Sequence, residues 1–340
     1  MRASIRQVAA LAGVSRTTVS DLLRGRENVA LPETEARVRQ AVRDLNYIPV
    51  PQPVLQSRRM RTRVIGLVID GVEFDEPWGL PTYHGLREGA DTLDYDLLTV
   101  RRSRPGNSYE YEEMRFLDRR CDAYIFVVPL DRYALMETLH RHAIPAVSCY
   151  TDNVPPSVAS IMVDNEECMR QAVRHLVAQG HRRIAYIGGP PESNNFAKRL
   201  IGFNEAMAEA GFQDLSQIVM EVDGDCNGAA DRIVQLARAG TITAVACAMD
   251  RFALAVQEQA KRCKLNLPRD LSITGLGDSK EAKWRDLTTI HCPFEEIGRG
   301  AMDAVVALMG GAEAAACGKV LPVELVVRGS VRKQRRAESE

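Results

Sequence analysis

Residues 4–25 read SIRQVAALAGVSRTTVSDLLRG, a stretch that describes two short helices joined by a tight turn. Ser4 is suited to cap the first helix, and Gln7 three positions on completes a capping box. Val8, Ala9 and Ala12 give that helix one apolar face. Gly13 stops it, because a chain entering a sharp interhelical corner needs φ > 0 there. Val14 plugs the corner, and Ser15 caps the second helix by accepting from its free N–H groups. In the second helix Val19, Leu22 and Leu23 recur at i, i+3, i+4. Arg16, Thr17, Ser20, Asp21 and Arg24 are left on the opposite face. That face is short, polar and rich in donors. A helix held by its apolar side can enter a DNA major groove N-terminus first. Arg suits guanine edges, Ser and Thr suit bases or phosphates, and the Thr methyl suits a thymine methyl. The plainer alternative is a helical hairpin with a solvated face.

Charge distribution favours the first reading. The 340 residues carry a net charge of −1, which by itself argues against wholesale nucleic-acid binding. Residues 1–63, however, hold twelve Arg and five acids, a local charge of +7, and the remainder carries −8. A basic head on an acidic body points to a polyanion at one end only. The eight Cys contain no C-x-x-C pair, and several lie in apolar runs such as AVSCY and AVACAMD, so buried thiols in a reducing compartment are expected. The six His show no metal spacing; His140 and His142 are two apart and face away from one another on a helix. No metal or cofactor is expected. No apolar run approaches the length of a membrane span and the N-terminus lacks a signal-peptide core, so a cytoplasmic location is expected.

Downstream, Pro32 and Glu33 open a third helix with Val38, Ala41, Val42 and Leu45 on its apolar face. Pro49, Pro51 and Pro53 mark a linker, and an Arg cluster follows at 58–63, read either as a flexible tether or as phosphate contacts. From Val64 the grammar becomes apolar strand, amphipathic helix, apolar strand: VIGLVID, YDLLTV, AYIFVVP and PAVSCY, then SIMVD, RIAYIGG, IVMEV, AVACAM and LSITGLG, with a late helix over Phe294 to Met309 and a last strand at Val323 to Val327. Such alternation means parallel sheets covered on both faces. The expected fold is an all-α helix-turn-helix head followed by an α/β two-lobed body of two doubly wound parallel sheets. The expected boundaries are 1–48 for the head, 49–63 for the linker and 64–330 for the body, with a tail at 331–340. Lobe 1 takes about 64–162 and 293–320; lobe 2 takes about 163–292 and 321–330. Ligands in such folds bind outside the carboxyl ends of the strands, which here would face a cleft closing by a hinge.

Over residues 3–330 the chain resembles the LacI/GalR family of bacterial transcriptional regulators. The resemblance is carried by IRQVAALAGVSRTTVS, LNYIP, VIGLVID, HGLREGA, RRCDAYIFVVP, VDNEE, HLVAQGHRRIAYIGGP, RLIGFNEAMAEAG, MDRFALAVQEQA, LPRDLSITGLGD, LTTIHCPFEEIGRGA and LPVELVVRGS, in that order. It implies a periplasmic-binding-protein-like body. It also implies a homodimer whose heads read an approximate palindrome, most often as a repressor, with a small-molecule effector in the interlobe cleft. Arg16, Thr17 and Ser20 would touch base edges. Ser4, Ser15, Thr18, Arg24, Asn28 and Tyr47 would fix register through the backbone, and Leu55 stands beside the usual minor-groove wedge position, which holds Gln56. Asp21 replaces a common Arg, which predicts a changed operator sequence, since a carboxylate accepts from cytosine N4.

Candidate effector residues are Glu76, Trp78, Tyr150, Asp164, Asp250, Asp278 and Trp284. Ala197, Met249, Gly277 and Tyr150 replace polar residues of the family's cleft, so an effector less hydroxylated than a simple sugar is expected, or none. Two other classes compete. A solute-binding protein shares the body but has no use for a basic head. An enzyme with a nucleotide site would need more than RIAYIGGPPES, which is neither G-x-G-x-x-G nor a Walker loop.

Overall fold

The computed structural model describes residues 4–23, 30–45, 61–69, 77–100, 115–128, 132–212, 219–222 and 226–334. These fall into two compact units, which divide after Met60.

The first unit holds three helices, α1 (Ile5–Ala12), α2 (Arg16–Leu23) and α3 (Pro32–Asp44). Its start is the expected capping box: the Ser4 N–H donates to Gln7 Oε1 at 2.8 Å while Ser4 Oγ accepts from the Gln7 N–H. Gly13 ends α1 at φ 65°, and the Val14 N–H closes the corner on the Ala9 carbonyl at 3.0 Å. Ser15 Oγ accepts from the Thr18 N–H at 3.0 Å and so caps α2. Val8, Ala9, Ala12, Val19, Val38 and Ala41 are buried together, one apolar stripe from each helix. Burying side chains of that size contributes on the order of 1–2 kcal/mol each, enough for a small core of three short helices.

In the second unit each lobe is built on a six-stranded sheet. The first sheet uses β1 (Val64–Ile69), β2 (Asp96–Val100), β3 (Ala123–Val127), β4 (Ala146–Cys149), β5 (Ala159–Val163) and, from much later in the chain, β11 (Lys319–Leu321). Their order is β11-β5-β4-β3-β1-β2, and every pairing is parallel. The second uses β6 (Ile184–Gly188), β7 (Val219–Glu221), β8 (Ala244–Cys247), β9 (Ser272–Gly277), β10 (Thr288–His291) and β12 (Glu324–Val326), in the order β12-β10-β9-β8-β6-β7. Here only β12 runs antiparallel. β3, β4, β6, β8 and β9 are buried along their whole length, which is why they read as unbroken apolar runs.

Helices cover the sheets: α4 (Gly79–Leu93) and α5 (Tyr133–Arg141) in lobe 1, then α6 (Asn165–Ala178), α7 (Asn194–Glu209), α8 (Asn227–Arg238), α9 (Asp250–Arg262) and the short α10 (Lys280–Trp284) in lobe 2. The chain then returns to lobe 1 through α11 (Phe294–Met309) and the short α12 (Ala314–Cys317). It crosses between lobes at 163–165, 291–294 and 321–324. Gly85 and Gly89 of HGLREGA and Gly298 of EEIGRGA are explained by packing of α4 on α11, whereas Gly300 faces Ile161 on β5. A Cβ on Gly85 would collide with the Glu295 carbonyl, and one on Gly298 with the Thr82 carbonyl.

Three elements escape a reading based on hydrophobic runs. β10 carries two buried threonines, Thr288 and Thr289, whose hydroxyls are satisfied inside the fold. β11 is only three residues long and its side chains are mostly exposed. α10 is a single capped turn. Residues 101–114, between β2 and β3, and the linker prolines lie outside the described residues.

Candidate functional site

On α2, Arg16 and Thr17 are exposed, and Thr18, Ser20 and Asp21 are partly exposed. Val19, on the opposite side, has no exposed surface at all. The packing therefore fixes which way this helix faces: its N-terminal turn presents Arg16 and Thr17 outward. Ser4 and Ser15 are exposed as well, but their hydroxyls are engaged as caps, and Ser15 Oγ also lies 2.9 Å from Thr18 Oγ1. Arg24, Asn28, Tyr47 and Leu55 lie outside the described residues. Of the arginine cluster, Arg61 and Arg63 serve the body. Arg61 donates to Tyr95 Oη at 3.2 Å, and Arg63 pairs with Asp94 at 2.9 Å. Asp122 takes the backbone N–H groups of Thr62 and Arg63 at 2.7 and 2.9 Å, which fixes where the body begins.

At the carboxyl end of the lobe 1 sheet the candidates separate. Tyr150 follows β4 with φ 77°, a left-handed conformation that costs a non-glycine residue on the order of 1 kcal/mol. The side chain is buried among Trp78, ring centroids 5.2 Å apart and edge to face, and Phe294 at 6.1 Å. Thr82 donates its one hydroxyl hydrogen to the Trp78 carbonyl at 2.6 Å, so the Tyr150 hydroxyl donates to Thr82 Oγ1. Burial holds the Tyr150 phenol well above its ordinary pKa, so it stays a neutral donor. The trio fills the space beside α4; the cavity left between Trp78, Thr82, Tyr83 and Val127 is about 10 Å³, room for one water. Glu76 lies outside the described residues.

In lobe 2 the carboxylates are mostly committed internally. Asp250 is fully buried at the start of α9; Oδ2 accepts from the Ser279 N–H at 2.7 Å and Oδ1 from the Thr289 hydroxyl at 2.6 Å. Burial raises its pKa, with the Thr289 bond opposing. This is a structural tie between α9, the β9–α10 corner and β10. Asp278 is tied likewise, to Arg328 at 2.5 Å, His291 at 3.2 Å and Lys283 at 3.5 Å. Asp164 caps α6 by accepting from the Glu167 N–H at 2.8 Å, and its Oδ2 lies 3.5 Å from the Arg170 guanidinium, while the side chain stays 47% exposed. Trp284, at the end of α10, is 77% exposed.

One residue near these was passed over. Arg199, the first of RLIGF, donates from Nε to Asn165 Oδ1 at 2.8 Å and from Nη1 to the Ala248 carbonyl at 2.9 Å, and lies over Phe196. Arg199 lies in the second turn of α7, past the strand-end positions that a sequence reading of the cleft singles out.

Residues 4–50 match the model of bacterial regulatory proteins of the lacI family, and residues 173–331 match a periplasmic binding protein-like domain. An HTH-type transcriptional repressor PurR from Vibrio vulnificus is 30% identical over 353 residues, covering 97% of this chain and 99% of that protein. The chain belongs to the LacI family. A PurR repressor from Photobacterium profundum is 29% identical, over 89% of this chain and 91% of its own length. Among solved structures, the Lac repressor dimer bound to operator and the anti-inducer ONPF superposes with a TM-score of 0.74 at 25% identity, covering 98% of this chain and 100% of that one. A complex of the transcriptional regulator CelR with cellobiose gives 0.71 at 27% identity, over 97% and 100%. This LacI-family chain is thus a DNA-binding transcriptional regulator, and the solute-binding alternative falls with the head. No helix among the described residues is long and apolar enough to cross a membrane.

Proposed function

We propose that this chain is a repressor that binds an approximately palindromic operator as a homodimer and responds to a small molecule bound between its lobes. The observation carrying the reading is the orientation of α2: a buried Val19 turns Arg16 and Thr17 outward at the helix N-terminus, the end that enters a major groove. In this reading Arg16, Thr17 and Ser20 touch base edges and Thr18 a phosphate, with Arg24, Asn28 and Tyr47 as further backbone contacts. The relatives support the assembly, since one is a repressor dimer on its operator and two hold small molecules, ONPF and cellobiose.

For the effector, the residues with capacity to spare are Trp78, the half-exposed Asp164 carboxylate, whose Oδ2 has a long ion pair to Arg170 at 3.5 Å, and Arg199, whose Nη2 has no hydrogen-bond partner among the described residues. Tyr150 contributes an aromatic wall. An acceptor-bearing, partly aromatic molecule fits that set better than a polyol, because Asp250 and Asp278 are spent within the protein. A cytoplasmic regulator without catalytic chemistry is the matching cellular role. The test is selection of duplexes from a random pool by the purified full-length protein, followed by footprinting. A symmetric enriched sequence whose binding weakens with salt is expected. Failure to enrich any sequence at low ionic strength overturns the reading.

A further inference from the structure

Besides the three crossings of the chain, the lobes are joined by a polar contact that none of the sequence motifs announces. Thr151 and Asp152 leave β4 on the lobe 1 side; Asn194 and Lys198 lie one turn apart at the start of α7 in lobe 2. Asn194 Nδ2 donates to Thr151 Oγ1 and to Asp152 Oδ1, both at 3.1 Å, and Lys198 Nζ meets Asp152 Oδ2 at 2.5 Å. The partners are separated by 42 to 46 residues and belong to different sheets. We propose that these four side chains form a clasp that sets how far the two lobes close, and through that closure the grip of the protein on its operator.

Two features make this more than a chance surface pair. Its lobe 1 half is rigid. The Thr151 carbonyl accepts from the hydroxyls of Ser148, on β4, and Ser160, on β5, so the loop is bolted to buried sheet. Thr151 itself is 7% exposed, and its Oγ1 also accepts from the Asn153 N–H at 3.1 Å. Its lobe 2 half sits on the first turn of a sixteen-residue helix. The short Asn194 and Thr151 side chains on these stiff mounts cannot follow a hinge motion, so opening breaks their bonds and leaves the longer Lys198 stem to stretch alone. Lys198 is also only 26% exposed, so its charge is partly screened from water by the structure that holds it. Burial alone would raise the Asp152 pKa, but Lys198 and Asn194 bring it below the ordinary value, so the carboxylate remains charged at neutral pH. The inference rests on the proposed function for its DNA arm only.

The experiment compares full-length wild type with Asp152→Ala, Lys198→Ala, the double variant and the charge swap Asp152→Lys with Lys198→Asp. Small-angle scattering and hydrogen exchange read lobe opening without DNA. The duplex selected by the wild type reads operator grip. Both single variants are expected to raise the radius of gyration and to speed exchange at 151–154 and 194–198 by about tenfold, and the double variant to go no further than either. The swap should return both readings toward wild type. Operator Kd should change at least threefold, in one direction for all three alanine variants. Singles that add, or scattering and exchange that do not move, overturn the clasp. Opening with an unchanged Kd overturns its link to DNA while leaving the operator-binding assignment intact.

Discussion

The Thr17 side chain has no hydrogen-bond partner among the described residues and stands exposed at the tip of α2, so its loss should be felt by DNA and not by the fold. Thr17→Ala is expected to relax preference at one base pair, costing about 1–3 kcal/mol against the favoured duplex while leaving the thermal midpoint unmoved. Base-by-base competition binding beside a melting curve measures both. The buried His181 gives a second prediction at this scale. His181 donates from Nε2 to the Arg332 carbonyl at 3.0 Å and has Nδ1 against the Thr243 hydroxyl at 2.9 Å; burial lowers its pKa below the ordinary 6.5, as it does for His175. The unfolded chain then takes up the proton first as pH falls. The stabilisation is complete above about pH 6.5 and is lost as the pH drops through the folded-state value. The melting temperature should therefore decline between pH 7 and 5, and His181→Gln should flatten part of that slope in a thermal-shift series.

Among elements, the α4–α11 pair is the most sensitive joint. Gly85 and Gly298 let the two backbones touch, and the opposing atoms are carbonyls and main chain, which cannot turn aside as a side chain can. Gly85→Ala or Gly298→Ala should each destabilise the body by about 1–3 kcal/mol through forced separation of the helices, read by urea unfolding. By contrast Gly228→Ala meets open space on α8 and should be neutral or slightly stabilising. The long apolar strands and the helix over Phe294 to Met309 were legible because burial on both faces writes itself as an apolar run. β10 was not, because Thr288 and Thr289 are buried as polar residues whose hydrogen-bond partners, the Arg328 carbonyl and Asp250, lie some forty residues away. No local pattern announces such a pairing.

For the whole molecule, Trp284 is the residue that a lone subunit leaves unexplained. At 77% exposure between the charged Lys283 and Arg285 it is a costly side chain to offer to water, and a large exposed aromatic is the usual anchor of a protein contact. Trp284→Ser should weaken self-association at least tenfold in sedimentation equilibrium while leaving the subunit folded. An unchanged dimer constant would place the contact elsewhere.

The sequence by itself determined the head, the outward side of its second helix and the two-sheet body, since caps, helical periodicity and buried strands are all local signals. It also carried the motifs that tie the chain to a regulator family. Only the tertiary structure decided which internal partners the cleft candidates have. Whether a carboxylate at a strand end is free for a ligand depends on what the rest of the fold brings to it, and for Asp250 the partners arrive from Ser279 and Thr289. Tyr150 became a plug because Trp78, Thr82 and Phe294 converge on it from two distant helices. The interlobe contact of Asp152 with Lys198 exists only because separate sheets come together, a distance in space that no spacing along the chain encodes.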